Sequence, residues 1–358
     1  MGCVAGSQKI HAENSNVSIF NCAGIISETV LGALVRLDEE ISRHEKSHPV
    51  ERLTVITTEM ESIKEEIKML KETTNVNKMS PEAYGKTLHQ LFVSLDLYTR
   101  PILAIENEDF VANVNRKEMM RIELNLLCNR YEDLQKEKKM LQAQIYHIRS
   151  LYGVLQELLD SIWNDNLKVV TSFEKSLKRS CALRDALANV CVRMRTAAEY
   201  AHTATSAVDD ALLAWKLTSV GNCGFDRTTA CADACQMLVQ ARCCERGARR
   251  VLAAHAAPRA SRTLRLALDY AFTDALHDQK HQKTAEIFVQ FKEALVQLVN
   301  SIHQVLLNTM DNLTVADMEV MKIRKELRTA RVNDIVKRGL ADITYDPKLL
   351  QQLNGQRT

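Results

Sequence analysis

Between Met120 and Ile162, apolar side chains return on a seven-residue beat. Met120, Leu124, Leu127, Tyr131, Leu134, Lys138, Leu141, Ile145, Ile148, Tyr152, Leu155, Leu159 and Ile162 alternate spacings of three and four, and Lys138 alone is charged. A helix with that stripe has to bury it against another helix. At 1.5 Å per residue the run predicts a rod roughly 65 Å long.

Shorter stripes flank it. Val30, Leu34, Leu37 and Ile41 predict a helix from Ser27 to His48, ended by Pro49. Leu53, Ile56, Met60, Ile63, Ile67 and Leu70 keep heptad spacing, with Glu61, Lys64, Glu65, Glu66 and Lys68 outside the seam. Ser80-Pro81-Glu82 is a helix start, with a capping hydroxyl, a proline at the first helical position and an acid in the first turn. Leu88, Leu91, Phe92 and Leu95 follow, to a stop at Arg100-Pro101.

Beyond Trp163-Asn164-Asp165-Asn166 a second long seam runs through Val170, Phe173, Leu177, Ser180, Arg184, Leu187, Cys191, Met194, Ala198, Ala201, Thr205, Val208, Leu212 and Trp215. Its small middle residues invite close backbone approach. The frame slips by four between Ile162 and Phe173, which is either a stutter or a hairpin; the Asn/Asp run favours the hairpin. Gly221-Asn222-Cys223-Gly224 marks another turn, with a return helix from Thr228 to Ala257 and a corner at Pro258. A helix from Ser261 to Met310 carries Leu264, Leu268, Ala271 and Ala275, a polar gap, then Phe288, Phe291, Leu295, Leu298, Ile302 and Val305. A last helix, Ala316 to Leu340, shows Val320, Ile323, Leu327 and Ala330 on one side. The chain thus divides into an arm (1–23), short amphipathic helices (24–101), a heptad rod (102–220), a Cys/Arg-rich hairpin and long helix (221–313), a C-terminal helix (314–345) and a tail (346–358).

Composition agrees. Of 358 residues only 5% are aromatic, with 11 Gly and 5 Pro, too few rings and turn-formers for a sheet protein. No uncharged apolar run is long enough to cross a membrane, and the N-terminus lacks a secretory pattern, so the expected location is cytoplasmic and the ten cysteines are expected to be reduced thiols. The net charge of +2 is unevenly spread: residues 1–165 hold 19 Lys+Arg against 25 Asp+Glu, and the remainder is basic. The two halves are expected to meet as complementary surfaces.

Candidate chemistry is sparse. Met1-Gly2-Cys3-Val4-Ala5-Gly6-Ser7 resembles the dual-acylation start of Src-type kinases and heterotrimeric G-protein α subunits, over seven residues only; its hydroxyl comes one place late, at Ser7. That resemblance implies myristoylation at Gly2 and palmitoylation at Cys3, a two-chain anchor for peripheral membrane attachment. Arg242, Arg246, Arg249, Arg250, Arg259, Arg262 and Arg265 form a basic cluster. Its partner is the acidic half of the chain or, alternatively, anionic membrane; aromatics that would stack on nucleic-acid bases are missing from it. Cys223, Cys231, Cys235, Cys243 and Cys244 lack the spacing of a zinc site and read as packed thiols. Glu199-x-x-His202 and Asp274-x-x-His277 resemble the ligand pairs of di-iron bundles, but Glu199 and His202 lie off the seam. Asp274, His277 and His281 share a face inside the polar gap. No nucleophile elbow, phosphate loop or metalloprotease signature occurs, and no catalytic residue, metal ligand or cofactor is assigned.

The sequence therefore predicts an all-α protein of long antiparallel helices in an elongated bundle or coiled coil. The expected function is that of a non-enzymatic structural or adaptor protein, pairing helices with itself or with other helical proteins in a cytoskeletal, centrosomal or trafficking assembly. The pairing seam is Leu124, Leu127, Leu134, Leu141, Ile145, Ile148, Leu155, Leu159 and Ile162, with Lys138 and Arg184 as polar register-setters. The alternatives are a scaffold anchored to membrane through Gly2 and Cys3 and, further off, a metal-dependent bundle enzyme.

Overall fold

The computed structural model describes residues 29–74, 82–98, 106–163, 168–219, 224–253, 262–341 and 343. Among them are eight helices and no strand: α1 (Val30–Glu45), α2 (Pro49–Thr74), α3 (Glu82–Ser94), α4 (Glu108–Ile162), α5 (Lys168–Leu217), α6 (Gly224–Val251), α7 (Arg262–Asp274) and α8 (Asp278–Lys337). At 55 and 60 residues, α4 and α8 are about 80 and 90 Å long.

These two lie parallel. Lys280 Nζ is 2.8 Å from Glu108 Oε1 at one end, and Trp163 Nε1 donates to Asp334 Oδ2 at 2.6 Å at the other. α5 runs against α8, with Lys292 on Asp209 and Arg331 on Glu174. α1 and α2 run against α4, through Tyr152 on Glu45, Arg52 on Glu137 and Arg130 on Glu59. Residues 164–167 lie outside the described set, yet Arg130 reaches Tyr200 while Tyr152 and Arg184 meet at Glu45. α5 therefore returns alongside α4: a hairpin, not a stutter.

Small residues set the spacing. Ala197, Ala201, Ala204 and Ala211 on α5 are wholly buried. Where α6 crosses α5, a Cβ on Gly247 would sit 2.7 Å from the Tyr200 ring, which Glu59 and Arg130 hold in place. Gly247→Ala should lower stability by about 1–3 kcal/mol through overpacking, outweighing the ~1 kcal/mol that alanine gains in a helix. Thermal melting checks this; a stabilised variant would contradict it.

Three expectations change. The helix expected over 261–310 breaks at residues 275–277, because the apolar stripe of α7 and that of α8 are out of phase across the polar gap. The break expected between 310 and 316 does not occur. Leu313 is buried with Ala188 and Cys191 of α5, while Thr309 and Thr314 donate to carbonyls four residues back, so α8 runs through. Along α4, Leu127, Leu134, Leu141, Ile148, Leu155 and Ile162, each seven apart, are all buried, but the alternate rows are not: Tyr131, Lys138 and Leu159 are half-buried, Tyr152 is exposed, and Leu158 takes the core place expected of Leu159.

Candidate functional site

The expected pairing seam of α4 is filled from within the chain. Leu127, Leu134 and Leu141 pack on Ile56, Met60 and Ile63 of α2. Leu155, Leu158 and Ile162 pack on Val30, Leu34, Leu37 and Ile41 of α1, with Leu159 at the margin. Leu124, Ile145 and Ile148 are buried too. Those in the two clusters pack within the chain, against α1 and α2.

The arginine cluster divides. Arg242 donates to Glu123 Oε2 at 2.8 Å, Arg246 pairs with both Glu123 and Glu66, Arg250 with Glu66, and Arg249 with Glu245 at 2.5 Å. Four arginines of the cluster are thus matched by acids, of which Glu66 and Glu123 belong to the acidic half of the chain. Arg262 and Arg265 are exposed on α7, and Arg259 lies outside the described residues. Burial alone would raise the Glu123 carboxyl, but Arg246 and Arg242 outweigh it and hold it below the ordinary range.

Two further hubs sit at helix crossings. Arg184, a charged residue in an apolar seam, pairs with Glu45 at 3.1 Å and with Asp185. Arg324 of α8 reaches the same Glu45 and donates to Ser42 Oγ at 2.6 Å. Buried Glu59 accepts from Tyr200 and Arg130, and the Arg130 guanidinium lies 5.0 Å from the Tyr200 ring centroid. Sequence reading flagged Arg184 but missed Glu59 and Glu123, which sit one residue before the seam positions Met60 and Leu124 and are nonetheless buried.

Four of the described thiols are disfavoured as thiolates. Burial pushes Cys191, Cys231 and Cys244 up and Cys243 up to about 12, so they stay protonated, as small packed side chains do. Cys223 lies outside the described residues, as do Gly2 and Cys3. The two di-iron-like pairs do not converge. His202 faces His303 with Nε2 atoms 3.0 Å apart. Asp274 accepts from Thr284, and His281 stacks on Trp215, thirteen residues further along α5 and about 20 Å away. An open cavity of about 790 Å³ lies between α1, α4, α5 and α8, lined by Tyr152, Trp163, Cys181, Arg324 and Arg331 among others. Its arginines are engaged by Glu45, Ser42 and Glu174, and burial raises both the Cys181 thiol and the Tyr152 phenol.

Among the described residues, one face of α8 carries exposed apolar side chains in line. Val289, Val296, Leu307, Met318, Met321 and Val336 are each between 38% and 63% exposed. At 3.6 residues per turn they fall within about 60° of arc, opposite the buried Phe291, Leu295, Ile302, Val320 and Leu327. Val296, Leu307 and Met318 are eleven apart, three turns each, so the row runs nearly straight along the helix. Exposed Glu286, Glu293 and Asp311 flank its first half; in its second half exposed Lys322 flanks it and exposed Lys325 falls within it. The expected seam through Phe288 to Val305 hid this row, since Val305, read as inward, is itself exposed. Eleven-residue spacing was the signal available.

No family model, curated protein or solved structure matches this chain. No described helix is long and apolar enough to cross a membrane.

Proposed function

We propose that the chain is a non-enzymatic helical scaffold or adaptor that works by helix–helix pairing, and that the outer row of α8 is its pairing face. The observation that carries this is the alignment of Val289, Val296, Leu307, Met318, Met321 and Val336 on the side of a 60-residue helix turned away from its own core. Scattered apolar residues on a surface need no explanation, whereas six on one side of a long helix, with Asn300, Thr314 and Lys325 between them, mark a candidate pairing face.

The middle of the row, though not its ends, is symmetric about Leu307: Val296 and Met318 each lie eleven residues from it. A second copy of α8 laid antiparallel would set Leu307 against Leu307 and Val296 against Met318. The same arrangement brings Glu293 within a turn of Lys322 and Lys325 of the copy, so acid meets base along the flanks. A self-complementary two-fold contact of this kind is the commonest way for a chain to pair with itself.

Light scattering of the full chain tests the reading. The unaltered protein should have the mass of two chains. Val296→Glu/Leu307→Glu/Met318→Glu should have the mass of one, with helix content and melting temperature close to the original, since exposed positions away from the core cost within about 0.5 kcal/mol each. A single-chain mass for the unaltered protein at high concentration, or a triple variant that still pairs, would refute it.

A further inference from the structure

α1 and α4 meet through Val30, Leu34, Leu37 and Ile41 on one side and Leu155, Leu158 and Ile162 on the other. On the flank of that contact three metal-ligating side chains converge. Glu40 and His44, four residues apart, share a face of α1. His147 reaches toward them from α4. Its Nε2 is 3.8 Å from Glu40 Oε1. The rings of His44 and His147 meet edge to face, centroids 4.9 Å apart and planes at 86°. One donor atom from each residue can be chosen so that all three lie within 4.8 Å of one another.

We infer that Glu40, His44 and His147 form a binding site for a divalent ion of the zinc class, held by two imidazole nitrogens and one carboxylate oxygen, with a further position open to water. The donor set decides the class. Imidazole suits zinc, copper and nickel, whereas calcium and magnesium take oxygen ligands. Zinc–nitrogen and zinc–oxygen bonds of about 2.0–2.2 Å place tetrahedral ligand atoms roughly 3.4 Å apart. Closing from the present spacing needs only side-chain torsions, because His147 is exposed and Glu40 and His44 are half-buried.

The backbone beneath is already fixed. Next in the chain to His44, Glu45 is bound by Tyr152, Arg184 and Arg324, which pins the last turn of α1 against α4, α5 and α8. Arg36 lies 3.5 Å from the other oxygen of Glu40, leaving Oε1 turned toward His147. Since two ligands come from α1 and the third from α4, a bound ion ties one helix to the other. The third ligand is a hundred residues distant in sequence, so spacing alone does not reveal the site.

Calorimetric titration of the reduced full chain with Zn²⁺, paired with thermal melting, tests this. One ion should bind per chain. The melting temperature should rise by about 4 °C at a hundredfold excess over the dissociation constant. His44→Ala and His147→Ala should each abolish both effects, and Glu40→Gln should weaken them. Co²⁺ should bind without the intense near-ultraviolet band of a thiolate ligand, which separates this site from the cysteines. Circular dichroism of His147→Ala verifies its fold; were that variant unfolded, His147→Gln serves in its place. Absence of saturable binding by the unaltered protein, binding that survives loss of His147, or a thiolate band would overturn the assignment.

Discussion

Glu123→Ala should cost about 3–5 kcal/mol of folding stability, among the largest losses available to a single polar substitution here. Glu123 is buried and is the shared acceptor of Arg242 and Arg246, so its removal takes from the largely buried Arg242 its acid and leaves Arg246 with Glu66 alone. The urea midpoint should fall with an unchanged slope. Replacing all three residues by methionine should cost far less than the single change, because the penalty lies in the uncompensated charge and not in the lost attraction. The pH dependence follows from the same pair. The carboxyl is held lower in the folded chain than in the unfolded one. Its contribution is therefore complete above the unfolded value near 4.3 and is lost as pH falls through the folded value. Glu45, lowered against its own burial by Arg324, Tyr152 and Arg184, acts in the same direction. Urea midpoints should drop below about pH 4, and Glu123→Gln should remove part of that drop. A flat profile from pH 7 to pH 3 would contradict the account.

Trp215→Ala should be as damaging, at about 3–5 kcal/mol. The indole is 1% exposed at the end of the bundle where α5, α6, α7 and α8 share one core. It stacks on His281 with centroids 4.8 Å apart and planes 9° from parallel, meets Phe288 edge to face, and donates from Nε1 to the His281 carbonyl at 3.3 Å. His281 also meets the Thr218 hydroxyl at 2.9 Å. Truncation leaves a large void and removes the partner that fixes the start of α8. Chemical unfolding measures the loss. A cost below about 1 kcal/mol would mean the site collapses or fills, contrary to a close-packed end.

Much of this architecture is legible in the sequence. The stripe Val30–Leu34–Leu37–Ile41 marks α1, and the run from Leu53 to Leu70 marks α2, because a helix with one buried face repeats its apolar residues every three or four places. The alanine-rich middle of α5 shows for a similar reason. What fails is whatever depends on distant residues. Asp311, Asn312 and Thr314 look like a break, but their neighbour Leu313 is claimed by α5 and the helix continues. The arginines of α6 find Glu66 and Glu123 more than a hundred residues earlier, partners that spacing alone does not single out. Leu158 replaces Leu159 where the partner of α4 changes from α2 to α1, a change set by residues distant in the chain. The row on α8 was masked by a stronger one, since a helix that buries one stripe draws attention from the other.

The central claim is that another helix covers the outer row of α8. A photoactivatable benzophenone side chain placed at position 307 of the full chain, irradiated in the cell that makes it, tests this most directly. An adduct between two chains joined at or near residue 307 is expected, and it should vanish when Val296→Glu and Met318→Glu are added. Irradiation that yields only single chains would contradict the claim.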